Sequence, residues 1–347
     1  MELTPKDTKM MQGLSVMAMV CLHLFCRYDY HDLYQPICYL WGLPLPFYFS
    51  QMADFCVAGF AFCSGYGHMK QYAEGKFSYK KRLVSILSLF INYWIILAVF
   101  SVVSVIAGQG ARMPGNVWAF LGNALGILNT FNGASWYLFT YGVIVVISPW
   151  VLKLTRKCSS VLILAVSFVF YVIGYYLRFE LVVENWLLMQ LARLGMTLFE
   201  YIIGVVCVKH TVFTKIRSFA DRIPYGVVCV VSVLTYAAMA LFHALVIGNV
   251  IIAPFTGFVI LVLFQLWRKP VWAEKLFLLM GEHSTNIWLV HMFFYAVLFE
   301  DFVYVAKYSL AIFAFMLAIT LAVSKLINLI YLPINRKLVG LLNKKAA

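Results

Sequence analysis

Charge is what this sequence lacks most. Asp, Glu, Lys and Arg make up 12% of its 347 residues, about half the roughly 25% usual in a soluble domain. Acids are the scarcer sign, 14 against 27 basic residues. Hydrophobic residues reach 63% and mean hydropathy is +0.88. No aqueous fold hides that much apolar surface, so a soluble globular domain is excluded and the bilayer has to act as solvent. A basic block is missing too. The net charge of +13 is dispersed between apolar stretches, which argues against nucleic-acid binding. The eight cysteines contain no CxxC and no metal-ligand spacing. Cys21, Cys56, Cys63, Cys207 and Cys229 lie within apolar segments and read as small hydrophobes, so neither a disulfide framework nor a metal centre is expected. No internal repeat, linker or soluble domain stands out. The first apolar segment carries a His and no small-residue cleavage site, and reads as a retained span rather than a signal peptide.

What is there is a series of apolar stretches, each near the ~20 residues that cross about 30 Å of hydrocarbon. Ten candidate spans run over 10–27, 47–69, 83–107, 134–152, 160–177, 186–208, 224–243, 246–267, 285–299 and 308–332. The ninth is short and can extend back through 276–284. Segment 113–131 is apolar but broken by glycine and bounded by turn residues, and reads as re-entrant or interfacial. With the N-terminus in the cytoplasm, 21 of the 27 basic residues fall on the cytoplasmic side. The outer loops keep only Arg27, Arg112, Arg178 and Lys307, while Arg193 and Lys325 fall within spans. The acids Asp29, Asp32, Glu180, Glu184, Glu300 and Asp301 face outwards. This asymmetry follows the positive-inside rule. The expected class is an all-α polytopic membrane protein of about ten transmembrane helices with both termini cytoplasmic. One membrane domain is expected over 1–347, ending in a basic tail from about 333.

Ionisable groups inside spans are costly and are functional candidates by default. Lys9, Gln12, Val16, Met19 and His23 form one helical stripe of the first span. Gln12 and His23 are eleven residues, or almost three turns, and roughly 16 Å apart. A polar inner anchor and a deep imidazole thus share a face, which suits a long ligand entering from the cytoplasm. Imidazole can take a hydroxyl proton or carry an acyl group itself; it can also be a packing His bonded to a carbonyl. Asp54, at similar depth in the second span, can orient and charge-stabilise such a base or make a helix–helix hydrogen bond. Asp54, Ala58, Ala61 and Gly65 form a small-residue face that either packs tightly or lines a path. Arg193 and Glu200 share a face of the sixth span, and Arg193 suggests an anionic partner. Ser284 and His291 share a face of the ninth. His68, His210 and His243 read as interfacial.

Four motifs, in order along the chain, carry a family resemblance. They are KMMQGLSVMAMVCLHLF at 9–25, DFCVAGFAFCSGYGHMKQY at 54–72, SWYLFTYGVIVVISPWV at 135–151 and GEHSTNIWLVHMFFY at 281–295. A basic loop leading into RLVSILSLFINYW at 82–94, and RLGMTLFEYIIGVV at 193–206, add to them. Together they resemble the acyltransferase-3 family of membrane O-acyltransferases. The resemblance implies about ten spans, acyl-CoA as cytoplasmic donor, and an extracellular or lipid-linked sugar as frequent acceptor. It matches His23 to the family's catalytic His, with Asp54 as its substitute acid partner. It implies Lys9, Gln12, Ser64, Tyr66 and Arg193 as donor-binding residues, and Trp136, Tyr141, Glu200, Ser284 and His291 as supporting ones. Two positions depart from the pattern. Gln12 stands where the family has a basic residue, with Lys9 one turn nearer the cytoplasm, and Tyr141 stands where many members have Glu. No appended esterase-like domain is expected.

The function expected is transfer of an acyl group, read as acetyl, from acetyl-CoA to a hydroxyl of a cell-envelope glycan or lipid-linked saccharide. The setting is a bacterial cytoplasmic membrane, without a bound cofactor and without nucleic acid. Phosphates would stay among the inner basic residues, and the pantetheine arm would thread between spans one and two. Oligomeric state is left open, a homodimer included. The competing readings are an inactive relative, an oligosaccharide polymerase and a glycan or lipid transporter. The last calls for paired inverted repeats, which the sequence does not display.

Overall fold

The computed structural model of the chain describes residues 2–28, 30, 33–245 and 250–344. Asp29, Asp32 and Lys345, used in the charge argument, and residues 246–249 of the eighth expected span lie outside them. The chain is helical nearly throughout, as its hydropathy demands: a backbone in hydrocarbon must satisfy its own N–H and C=O groups. The helices are α1 Pro5–Phe25, α2 Leu45–Met52, α3 Cys56–Ala73, α4 Tyr79–Ile106, α5 Val117–Ala124, α6 Trp136–Lys157, α7 Ser160–Tyr175, α8 Trp186–Lys209, α9 Val212–Ala220, α10 Tyr225–Leu245, α11 Ala253–Leu266, α12 Val271–Glu282, α13 Ser284–Met292, α14 Glu300–Tyr304 and α15 Ser309–Lys344. The hairpin β1 Tyr39–Leu40 and β2 Leu43–Pro44 precedes α2.

Among the described residues, seven helical segments are long and apolar enough to cross a bilayer. They correspond to expected spans one, three, four, five, six, seven and ten. The other three spans are helical but broken. The second is α2, a 3₁₀ turn over Ala53–Phe55, and α3. The eighth is a 3₁₀ turn over Val250–Ile252 followed by α11. The ninth is α13 running into a π-helical stretch over Phe293–Leu298. Segment 113–131 is the short helix α5 between turns. Asn123 organises its exit, donating to Thr130 Oγ1 (2.8 Å) and accepting from the Phe131 amide (3.1 Å).

The chain divides into two compact units. The first comprises Met1–Tyr28, Pro36–Phe77 and Ile147–Glu282; the second comprises Asp29–Gln35, Ser78–Val146 and His283–Ala347. In the first, α1 starts at a capping box. The Asp7 amide donates to Thr4 Oγ1 (3.1 Å) and the Thr4 amide to Asp7 Oδ2 (2.8 Å), with Pro5 in the first turn. Association inside lipid depends on close packing rather than hydrophobicity, so small residues sit at the crossings. α3 and α8 meet through Gly65 and Gly204. A Cβ on Gly65 would stand 2.0 Å from the Tyr201 carbonyl oxygen, and one on Gly204 2.2 Å from that of Phe62. α7 and α8 meet in the same way through Gly174 and Gly195. The small-residue face beginning at Asp54 therefore packs: Ala58 and Ala61 are buried and Gly65 sits on the α8 backbone.

In the second unit, a buried amide ladder joins α4, α13 and α15. Asn92 Nδ2 donates to Asn286 Oδ1 (2.5 Å), and Asn286 Nδ2 donates to Asn328 Oδ1 (3.0 Å). Nearby, His283 Nδ1 lies 2.7 Å from Ser324 Oγ.

Candidate active site

The catalytic and donor-binding candidates all belong to the first unit. Lys9, Gln12 and His23 lie on α1 and are half-buried, while Val16 and Met19 between them are buried. His23 is in the last turn of α1. The seam between α1 and α3 is closed where a Cβ on Gly59 would stand 2.1 Å from Ser15 Oγ. That leaves no room at this level for a ligand between spans one and two, where the sequence reading expects a pantetheine arm.

Asp54 occupies the 3₁₀ turn between α2 and α3, which packs on α1. Just before it, Gln51 Nε2 donates to Cys26 Sγ at 3.1 Å, one turn beyond His23. Asp54 Oδ2 lies 3.7 Å from His243 Nδ1 of α10. His243 Nε2 lies 3.3 Å from Thr256 Oγ1 of α11. His243 lies in the last turn of α10, near the span end where the sequence places it, and its side chain is fully buried against Asp54. His68, near the end of α3, is also buried, 2.9 Å from the Tyr201 hydroxyl. His210 is exposed, 2.8 Å from Ser160 Oγ.

Ser64 is half-buried on α3. Tyr66 is 1% exposed, and its hydroxyl accepts from the Leu3 amide (2.9 Å) and donates to the Glu2 carboxylate. Together with Lys70, which donates to the Leu3 carbonyl (2.6 Å), it anchors the N-terminal segment. Arg193 is half-buried and Glu200 buried on α8. Glu200 is within electrostatic reach of Arg178, and Asp54 is within reach of Glu200. The sequence places Arg178 in an outer loop. Instead it lies half-buried on the π-helical continuation of α7 over Tyr176–Glu180.

The supporting candidates other than Glu200 belong to the second unit. Trp136 stands edge-on to Tyr137 (5.6 Å), which stacks on Tyr141 (5.8 Å) and meets Trp288 edge-on (5.5 Å). Ser284 is buried. His291 is fully buried, and its Nδ1 donates to the Trp288 carbonyl at 2.7 Å, which leaves Nε2 with the lone pair. Sequence reasoning missed His243 beside Asp54, Thr256 beside His243, and Arg178 within electrostatic reach of Glu200. The rule that singled out His23 applies to His243 as well, but its position near a span end hid it.

Among the described residues no group of three or more His, Cys, Asp or Glu is placed to hold a metal ion. The fold is that of a helical protein embedded in a membrane, with a buried acid–imidazole cluster in one unit. The acyltransferase-3 family profile, described as an acyltransferase domain, matches residues 9–329. The chain belongs to this family and is a membrane acyltransferase. No curated protein and no solved structure matches it.

Proposed function

We propose that the protein moves an acetyl group from cytoplasmic acetyl-CoA to a hydroxyl of a cell-envelope glycan or lipid-linked saccharide, working in a bacterial cytoplasmic membrane with its termini inside. The reading is carried by α1, whose Lys9, Gln12 and half-buried His23 share one face, with Gln12 and His23 roughly 16 Å apart along the helix. The basic inner ends of the spans suit the phosphates of the donor. His23 takes the acceptor's proton or bears the acyl group; both routes use a ring nitrogen reached from the cytoplasmic side. Lys9 takes over the anchoring duty that the family gives to a basic residue at position 12, with Arg193 as a second cation for the donor.

The test is to incubate purified protein in lipid with radiolabelled acetyl-CoA and an envelope-glycan fraction. Label should pass to glycan with the wild-type chain and not with His23→Ala. Hydrolysis or transfer that is indifferent to position 23 would refute the assignment. Mass analysis of surface glycans with and without the gene identifies the acceptor.

A further inference from the structure

The helix α9 is too short to cross a membrane. Its nine residues extend roughly 14 Å, where a crossing takes about 30 Å. It joins α8 to α10, and each of those is long and apolar enough to cross. Thr211, at φ 50°, turns the chain between α8 and α9. A short helix between two crossing helices lies at a surface of the bilayer. Its sequence has the two-sided pattern that suits this place. Val212, Phe213, Ile216, Phe219 and Ala220 fall on one side at helical spacing, and Thr214, Lys215, Arg217 and Ser218 on the other.

The body of the protein covers only the first part of the apolar side. Phe213 is buried, its ring 6.0 Å from that of Phe62 and 5.9 Å from that of Tyr66. The Glu2 carboxylate pins the same end, accepting from the Thr214 amide (3.2 Å) and the Thr214 hydroxyl (2.8 Å). Phe219, at the other end, is left 66% exposed. Apolar exposure resumes along α10 at Val227, Val230, Val231 and Leu234. The charges around Phe219 are of one sign. Over 209–225 the cations are Lys209, Lys215, Arg217 and Arg222, and the one acid is Asp221. Lys209 is engaged by the Thr155 and Cys158 carbonyls. Lys215, Arg217 and Arg222 are exposed, and none of them is ion-paired with an acid among the described residues. An exposed ring among three unpaired cations, on a helix held at the bilayer surface, fits a partner that is apolar and negatively charged at once.

We propose that α9 and the turn after it are a docking surface for anionic phospholipid. Phe219 enters the boundary of the acyl chains, and Lys215, Arg217 and Arg222 hold the headgroups. Each basic residue at an anionic membrane surface is worth about fivefold in affinity, so the three together give a preference over zwitterionic lipid on the order of a hundredfold. The surface does not depend on the role given to His23.

The test uses the full chain in nanodiscs of equal parts phosphatidylglycerol and phosphatidylcholine, with one lipid or the other brominated on its acyl chains. Phe219→Trp adds an indole whose emission is read as the difference from the wild-type protein. Brominated phosphatidylglycerol should quench most of that emission and brominated phosphatidylcholine little of it. Adding Lys215→Gln, Arg217→Gln and Arg222→Gln together should make the two lipids quench alike. Adding Lys153→Gln, Arg156→Gln and Lys157→Gln at the end of α6 instead should leave the preference intact. Emission that neither lipid quenches puts Phe219 in water and overturns the proposal. Equal quenching in Phe219→Trp itself overturns the selection for anionic lipid, whether or not the triple variants fold. A preference that survives the α9 triple variant, or that the α6 triple variant also abolishes, overturns the assignment of the site to these three cations.

Discussion

Gly13 of α1 and Gly281 of α12 face each other across a helix crossing with no space for a side chain on either. A Cβ on Gly13 would stand 2.0 Å from the carbonyl oxygen of Phe277, and one on Gly281 2.0 Å from that of Lys9. The obstacle in each case is rigid helix backbone, so relief requires the two helices to separate. The contact fixes α1 one turn from Lys9 and ties the proposed donor anchor to α12.

Gly13→Ala and Gly281→Ala should therefore each destabilise the protein by about 1–3 kcal/mol or more, the range for inserting a methyl group into a packed interior. Thermal unfolding in detergent measures this. A methyl group on Gly142 would meet nothing within 4 Å, so Gly142→Ala serves as the helix-interior control and should not lower Tm.

The amide ladder of the second unit gives a coupling prediction. Asn92→Leu removes a donor 2.5 Å from buried Asn286 Oδ1 and leaves that oxygen bare, at a cost of about 1–3 kcal/mol. Replacing both partners with Leu removes the unsatisfied group, so the double variant should lose less than the sum of the singles. A double-mutant cycle on Tm or denaturation midpoint checks this, and strict additivity would show that the two amides do not interact.

Stability should depend on pH through Lys269, in the loop between α11 and α12. Burial pulls its ammonium down to about 8; Arg217 adds to this, while Asp7 and Glu274 act the other way. Its Nζ donates to the Phe264 carbonyl (2.5 Å) and the Trp267 carbonyl (3.2 Å). Between about pH 8 and the ordinary lysine value of 10.5, the unfolded chain keeps a proton that the folded chain has released. Stability contributed by this group therefore rises with pH across that window. Lys269 is only half-buried, so solvent screening keeps the amplitude small. Tm of wild type minus Tm of Lys269→Met should become more positive from pH 7.5 to pH 9.5, whereas a difference that is flat or falls would contradict the assignment.

Much of the fold was legible because hydropathy over a twenty-residue window reports the solvent a helix needs. Each stretch picked out by its apolar run is helical in the described structure. What the window averages away are breaks: the 3₁₀ turn at Ala53–Phe55 and the π-helical stretch at Phe293–Leu298 keep helical composition while redirecting the backbone. The first of these matters for the site, because it carries Asp54. The glycine crossings were equally hidden, since Gly13 and Gly281, or Gly65 and Gly204, become partners only through tertiary packing. The stripe from Lys9 to His23 needed only a helical period and was visible at once. The contacts of Asp54 needed the positions of α10 and α11, which no local pattern encodes. Tyr66 shows the opposite limit: the Ser-Gly-Tyr motif suggested a donor contact, yet the hydroxyl is engaged by Glu2 and Leu3.

The central claim is that the ring of His23 handles the acyl group. Single-turnover mixing of the purified protein with radiolabelled acetyl-CoA, scored for loss of thioester and for label passed to an acceptor, tests it most directly. The account predicts that His23→Ala folds with wild-type Tm and loses transfer by at least the 10²–10⁴-fold expected for removing an acid–base group. A folded His23→Ala protein that consumes acetyl-CoA at the wild-type rate would contradict it.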